Sequence, residues 1–178
     1  MKPYLLFALT KGIPSLFADV KVLYKNLDNR QTIEAIVEEL RESLAHPPPS
    51  STPDDGEPPT TYLWTLYFLA QHYSFISLPA RSLSLLDVAV THTPTLPELY
   101  TCKARVLKRA GDLFGAVRNM ELARLLDGQD RFLNTKCAKY RLRAGLIEEA
   151  NEILGCFTKV SIFELSDLLQ RRLRCISA

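Results

Sequence analysis

A chain of 178 residues with 47% apolar content is long enough to bury a core and too apolar to be disordered throughout. Its formal net charge of +2 supplies no overall basic field of the kind nucleic-acid binding demands, so any polyanion site must be local. Lys, Asp or Pro breaks every apolar run before the ~20 residues that a bilayer span requires.

Met1-Lys2-Pro3 followed by Tyr4 to Leu9 has the look of a short leader, but Lys11, Gly12 and Pro14 cut it off early, and it reads as a helix instead. After Pro14, Leu16, Phe17, Val20, Leu23 and Tyr24 recur at helical spacing; Pro suits a first helical turn, where its missing N–H would have no partner. A second helix follows. Asp28 with Gln31 resembles a capping pair at its start, and Ile33, Ile36, Val37, Leu40 and Leu44 mark one apolar face. Residues 1–45 thus form a helical hairpin region. From His46 to Thr61 the composition turns to Pro, Ser, Thr and acid, and Pro47, Pro48, Pro49, Pro53, Pro58 and Pro59 are expected to exclude both helix and sheet. Such a loop is a plain insertion more often than a docking peptide for an aromatic groove.

Ala70, Ala104 and Ala138 then lie 34 residues apart in turn, and the pattern around each recurs. The first copy reads Leu66, Leu69, Ala70, Tyr73, Ser82, Leu86, Ala89, Pro94; the second Tyr100, Lys103, Ala104, Leu107, Ala116, Met120, Ala123, Gly128; the third Asn134, Cys137, Ala138, Arg141, Ala150, Leu154, Phe157. Ser77, Gly111 and Gly145 keep the same register as a turn position. These offsets match the tetratricopeptide (TPR) repeat, in which small residues at the eighth and twentieth places let two helices of a hairpin approach closely. The expected fold is all-α, a TPR-type solenoid of helical hairpins, with repeats at 63–96, 97–130 and 131–159. Its helices are expected near 62–76, 79–92, 97–110, 113–126, 131–144 and 147–158, and residues 160–178 form a divergent helical tail. The match is degenerate at the fourth place, with Leu66, Tyr100 and Asn134 where Trp is usual. Neither end resembles a solenoid cap with a polar outer face, so the chain reads as a piece of a longer superhelix.

Cys102, Cys137, Cys156 and Cys175 form no C-x-x-C pair, and His46, His72 and His92 lack ligand spacing with them; reduced thiols, a cytoplasmic location and no metal site are expected. Asp112, Glu121, Asp127 and Asp130 form no close carboxylate pair, no nucleophile has a convincing base, and the seven glycines make no phosphate-cradling loop. No catalytic residue is assigned.

Several segments go beyond a generic repeat: Gly12-Ile13-Pro14-Ser15-Leu16-Phe17; Asp54 to Thr61 leading into Leu63-Trp64; Leu69-Ala70-Gln71-His72-Tyr73; Thr93-Pro94-Thr95-Leu96; and Asp130 to Tyr140. From about residue 3 to about residue 159 the chain resembles the large auxiliary subunit of the N-terminal acetyltransferase A complex. The resemblance implies a non-catalytic scaffold that binds the catalytic subunit, positions it for co-translational acetylation, and reaches the ribosome through the full complex. No direct nucleic-acid site and no membrane contact are evident.

Lys136, Lys139, Tyr140 and Arg143 follow i, i+3, i+4, i+7 spacing, which places three cations and a phenol on one helix face. Such a face suits a polyanion, although most Lys/Arg-lined faces are simply solvated. The resemblance adds a ligand: the family holds inositol hexakisphosphate as a structural group at the junction with the catalytic subunit. Lys136, Lys139 and Tyr140 lie in the shared motif, and Arg143 joins them by helical spacing. The main alternative is a generic TPR adaptor in another complex. A clamp for chaperone C-termini is disfavoured, because its positions carry Tyr67, Gln71, Cys102, Phe132 and Lys136, of which only the last is charged.

Overall fold

A computed structural model describes residues 1–45 and 59–155 of the chain; the Pro-rich segment 46–58 and the expected tail 160–178 lie outside the described residues. Nine α-helices and no strand occur among them. The first three, α1 (Lys2–Thr10), α2 (Leu16–Val20) and α3 (Leu27–Ala45), precede the repeats. The repeats follow as hairpins α4 (Pro59–Phe75) with α5 (Pro79–His92), α6 (Pro97–Ala110) with α7 (Leu113–Leu126), and α8 (Arg131–Arg143) with α9 (Ile147–Gly155). Helix α4 therefore starts inside the expected loop: Pro59 opens it, as Pro can where the N–H has no helical partner.

The 34-residue register is visible in the packing. Ala70, Ala104 and Ala138 at the eighth place, and Ser82, Ala116 and Ala150 at the twentieth, are all fully buried. How closely the paired helices approach is measured in the first hairpin, where Ser82 Oγ donates to the Ala70 carbonyl at 2.6 Å. A hydroxyl reaching a backbone oxygen across the hairpin leaves no room for a longer side chain at either place.

The turn position keeps the same register. Ser77, Gly111 and Gly145 have φ of 63°, 94° and 82°, a left-handed conformation that reverses the chain at the end of each first helix. Ser77 is the one L-residue of the three and carries a Cβ where glycine has none. Ser77→Gly is expected to stabilise the fold by about 0.5–1 kcal/mol, a rise in Tm of about 2 °C by thermal melt.

The fourth place, degenerate in sequence, serves a common purpose in two repeats. Tyr100 donates its hydroxyl to the Pro94 carbonyl at 2.8 Å, and Asn134 donates Nδ2–H to the Gly128 carbonyl at 2.9 Å and to the Asp130 carbonyl at 2.8 Å. Pro94 and Gly128 are themselves 34 residues apart. A polar side chain here ties the start of a first helix to the preceding loop, where a Trp would fill space instead.

The region before the repeats departs from the expected regular pair. Residues after Pro14 form only the short α2, which tightens into a 3-10 turn, Lys21–Lys25, before α3. The expected Asp28/Gln31 cap is also not the one formed: Asn26 Oδ1 accepts the Asp28 N–H at 2.8 Å, so the helix begins earlier and Asp28 lies within its first turn. Helix α1 buries Leu5, Ala8 and Leu9 and leaves Tyr4 and Phe7 exposed, so its outer side is not polar.

Leu5, Leu9, Leu16, Phe17, Val20, Tyr24, Ile33 and Val37 pack against Phe68, Leu69 and Tyr73 of α4, so this region and the first repeat share one core. Gly12 turns with φ 67° directly against Trp64, where an added Cβ would lie 2.5 Å from the indole nitrogen. A buried polar junction completes the seam. Tyr24 donates its hydroxyl to His72 Nδ1 at 2.7 Å, while His72 Nε2 lies 3.2 Å from Glu34 Oε2. The carboxylate beside Nε2 selects the tautomer that carries its proton there, although the contact is too bent for a full hydrogen bond. Tyr73 of α4 donates its hydroxyl to Glu38 of α3, with Glu34 of α3 a longer, shared acceptor at 3.2 Å.

Candidate anion-binding face

Helices α6 and α8 are the first helices of consecutive hairpins, so residues one repeat apart stand side by side on a common face. Arg105 and Arg109 occupy the same repeat positions as Lys139 and Arg143. Lys136, Lys139 and Arg143 are exposed, as are Arg105 and Arg109, whereas Lys108 is half-buried. Tyr140 is buried in the core between α6, α7 and α8. Its ring is a platform: Lys108 Nζ lies 5.5 Å and the Arg143 guanidinium carbon 6.0 Å from its centre. Lys136 Nζ lies 5.2 Å from the exposed Phe132 ring.

The charges of this face act on one another. Burial holds the Lys108 ammonium below its ordinary pKa, and Arg143, Arg109, Arg105 and Lys136 push it further in the same direction. The structure thus brings two of the sequence candidates, Lys136 and Arg143, to three cations of α6 that a reading along α8 alone had not singled out. The repeat register was the available signal for Arg105 and Arg109; Lys108 joins through packing against Tyr140.

Several cations elsewhere have carboxylate partners. Lys103 pairs with Asp87, Arg81 with Glu38, Lys2 with Glu39, and Arg124 and Arg141 both with Glu121. Among the described residues Arg105, Lys108, Arg109, Lys136, Lys139 and Arg143 form no ion pair. Five cations that repel one another enough to perturb a lysine, with no acid between them, form a local site for anions on a chain of small net charge. No group of His, Cys, Asp and Glu among the described residues is arranged to hold a metal ion. No described helix is long and apolar enough to cross a membrane.

Fold and face together define a helical-repeat protein with a basic patch across neighbouring first helices. The chain belongs to the family described as the auxiliary subunit of N-terminal acetyltransferase A, whose sequence profile matches residues 1–176. It is 38% identical over 185 aligned residues to the human N-alpha-acetyltransferase 16, NatA auxiliary subunit, covering 100% of this chain and 21% of that protein. The Arabidopsis thaliana N-terminal acetyltransferase A complex auxiliary subunit NAA15 is 40% identical over 151 residues, 85% of this chain and 17% of the relative. Among solved structures, a chain of Naa15/Naa10 bound to HypK-THB superposes with a TM-score of 0.79 at 33% identity, covering 90% of this chain and 23% of that one. The chain therefore spans about a fifth of the length of the relatives it matches.

Proposed function

We propose that this chain is a non-catalytic scaffold segment that binds the catalytic subunit of an N-terminal acetyltransferase A complex in the cytoplasm and helps place it for co-translational acetylation at the ribosome. The relatives are named as auxiliary subunits, and the structural neighbour was solved with Naa10. The observation that carries the site is the unpaired cation cluster of α6 and α8. We further propose inositol hexakisphosphate as the structural ligand there, with Lys136, Lys139 and Arg143 from α8 and Arg105, Lys108 and Arg109 from α6 around it. Tyr140 supports the cations from beneath.

Charge-assisted hydrogen bonds to a phosphate contribute roughly 1.5–3 kcal/mol each, so several convergent ones can strengthen an interface that apolar contacts leave weak. Exchanging Lys136 and Lys139 for Glu is expected to lower the affinity for inositol hexakisphosphate by about a hundredfold, and to weaken capture of the catalytic subunit in its presence. Isothermal calorimetry with the inositol phosphate, followed by a pull-down with the purified catalytic subunit, reads both effects. Equal heats for the two proteins would remove the ligand assignment, and absence of capture by the unaltered chain would return it to a generic TPR adaptor.

A further inference from the structure

A second feature lies on the other side of Arg105 and Arg109 from the α8 cations. Between the C-terminal ends of α4 and α6 is a cavity of about 490 Å³ walled by Phe75, Pro79, Val106 and Ala110, within the range of about 300–1,000 Å³ usual for binding pockets. Across Ser74, Phe75 and Arg109 it meets a smaller cavity of about 150 Å³, which runs on to Phe17 and Lys21 at the α2 end of the chain. The two together make a groove that crosses α4.

Its charged groups are all cations, set among the uncharged Ser74, Ser77 and Gln71. Arg109 Nη1 donates to Ser74 Oγ at 3.0 Å, which fixes the guanidinium where the cavities meet and leaves its remaining N–H groups unspent. Lys21 Nζ stands 5.3 Å from the centre of the Phe75 ring, and Phe75 is 38% exposed. Lys21, Arg105 and Arg109 form no ion pair among the described residues. Cations at intervals along apolar walls suit a ligand that alternates carboxylates with apolar side chains. A compact phosphate would leave the exposed Phe75 and Pro79 uncovered.

We propose that this groove docks an extended acidic segment of a partner protein, its carboxylates on Lys21, Arg105 and Arg109 and an apolar side chain against Phe75 and Pro79. The site is separate from the proposed polyanion site and shares only Arg105 and Arg109 with it.

The test uses the full chain and a fluorescein-labelled dodecapeptide of alternating Glu and Leu, read by fluorescence anisotropy, with a Gln–Leu peptide as its uncharged match. The Glu–Leu peptide is expected to bind, the Gln–Leu peptide at least tenfold more weakly, and Lys21→Glu with Phe75→Ala together to lower Glu–Leu affinity by about tenfold or more. Calorimetry with inositol hexakisphosphate on the same double variant should be unchanged, while Lys136→Glu should weaken the inositol phosphate and spare the peptide. Should Phe75→Ala melt early, Lys21→Glu alone, on the surface, is expected to lower peptide affinity about fivefold. Equal binding of the two peptides, no binding of either, or Glu–Leu affinity untouched by Lys21→Glu would overturn the proposal. Absence of inositol phosphate binding to the unaltered chain, with its peptide binding intact, would overturn only the separate polyanion assignment and support this one.

Discussion

Glu121→Gln is expected to lower stability by about 2 kcal/mol, a shift of about 1 M in the urea midpoint, because one carboxylate of α7 holds Arg124 of its own helix and two groups of α8. Arg124 Nη2 donates to its Oε1 at 2.6 Å, Arg141 Nη1 to Oε2 at 2.8 Å, and the Cys137 thiol to Oε2 at 3.2 Å. Arg141 reaches on to Glu149 at 3.0 Å, so the chain of contacts joins three consecutive helices. The side chains of Glu121 and Arg141 are only 24% and 12% exposed, which places this pair between a solvated surface bridge and a buried one. Gln keeps the shape but loses the charge, leaving the Arg141 guanidinium half-buried with only Glu149 as an acidic partner.

The same residue gives the effect a pH dependence. Hydrogen bonds from Arg124 and then Arg141 pull the Glu121 carboxyl down to about 2 against the opposing effect of burial, and the Cys137 thiol is pushed up to about 12 by burial and by Glu121, so it remains a donor. A carboxyl whose folded pKa lies below its unfolded value of 4.5 stabilises the fold fully above that value, and the contribution fades as pH falls toward 2. The difference in stability between the native chain and Glu121→Gln should therefore be full at pH 7 and shrink below pH 4.5. Urea titrations at pH 7, 4 and 3 check this; a difference that stays constant with pH would show that the carboxylate charge is not what joins the helices. His72 acts in the same direction at a higher pH. Burial lowers its pKa against the pull of Glu34, so the stability it lends is complete above 6.5 and is lost as pH falls through the lowered value.

The parts of this molecule that repeat were legible in its residues, and the parts formed once were not. Small residues at Ala70, Ala104 and Ala138 and turn residues at Ser77, Gly111 and Gly145 are each demanded by backbone geometry, so their spacing alone gives the hairpins. The start of α3 depends on Asn26, not Asp28, acting as the capping side chain, a choice that local pattern does not decide. The His72 junction brings together residues 48 positions apart, and a lone buried histidine announces nothing about its partners. The basic face lay between these extremes. Spacing along α8 exposed Lys136 and Arg143, and the register would have added Arg105 and Arg109. Lys108 belongs to it only because its ammonium lies over the Tyr140 ring, and the absence of ion pairs there among the described residues is a property of the folded surface.

Ala104→Leu is expected to have the largest effect of any single apolar exchange in the repeats. Ala104 is fully buried and packs in the core with Ala116, Met120, Ala123 and Cys137, so the added carbons meet α7 directly where the hairpin closes. Overpacking typically costs about 1–3 kcal/mol; here α7 presents Ala116 and Ala123, which have no longer side chain to turn away, and this puts the cost near 3 kcal/mol or above and the fall in Tm at about 6–12 °C. The same exchange at Ala110, exposed on the last turn of the same helix, should change stability by no more than about 0.5 kcal/mol, which separates crowding from helix propensity. Ala104 also sits beside Arg105, so a hairpin forced apart there should move Arg105 and Arg109 away from Lys136 and Arg143. Inositol hexakisphosphate binding by Ala104→Leu, measured well below its melting temperature, is therefore expected to weaken even though no cation is altered. If Ala104→Leu melts like the native chain, then the small residue at the eighth place does not set the distance between the helices, and the spacing of the basic face must have another cause.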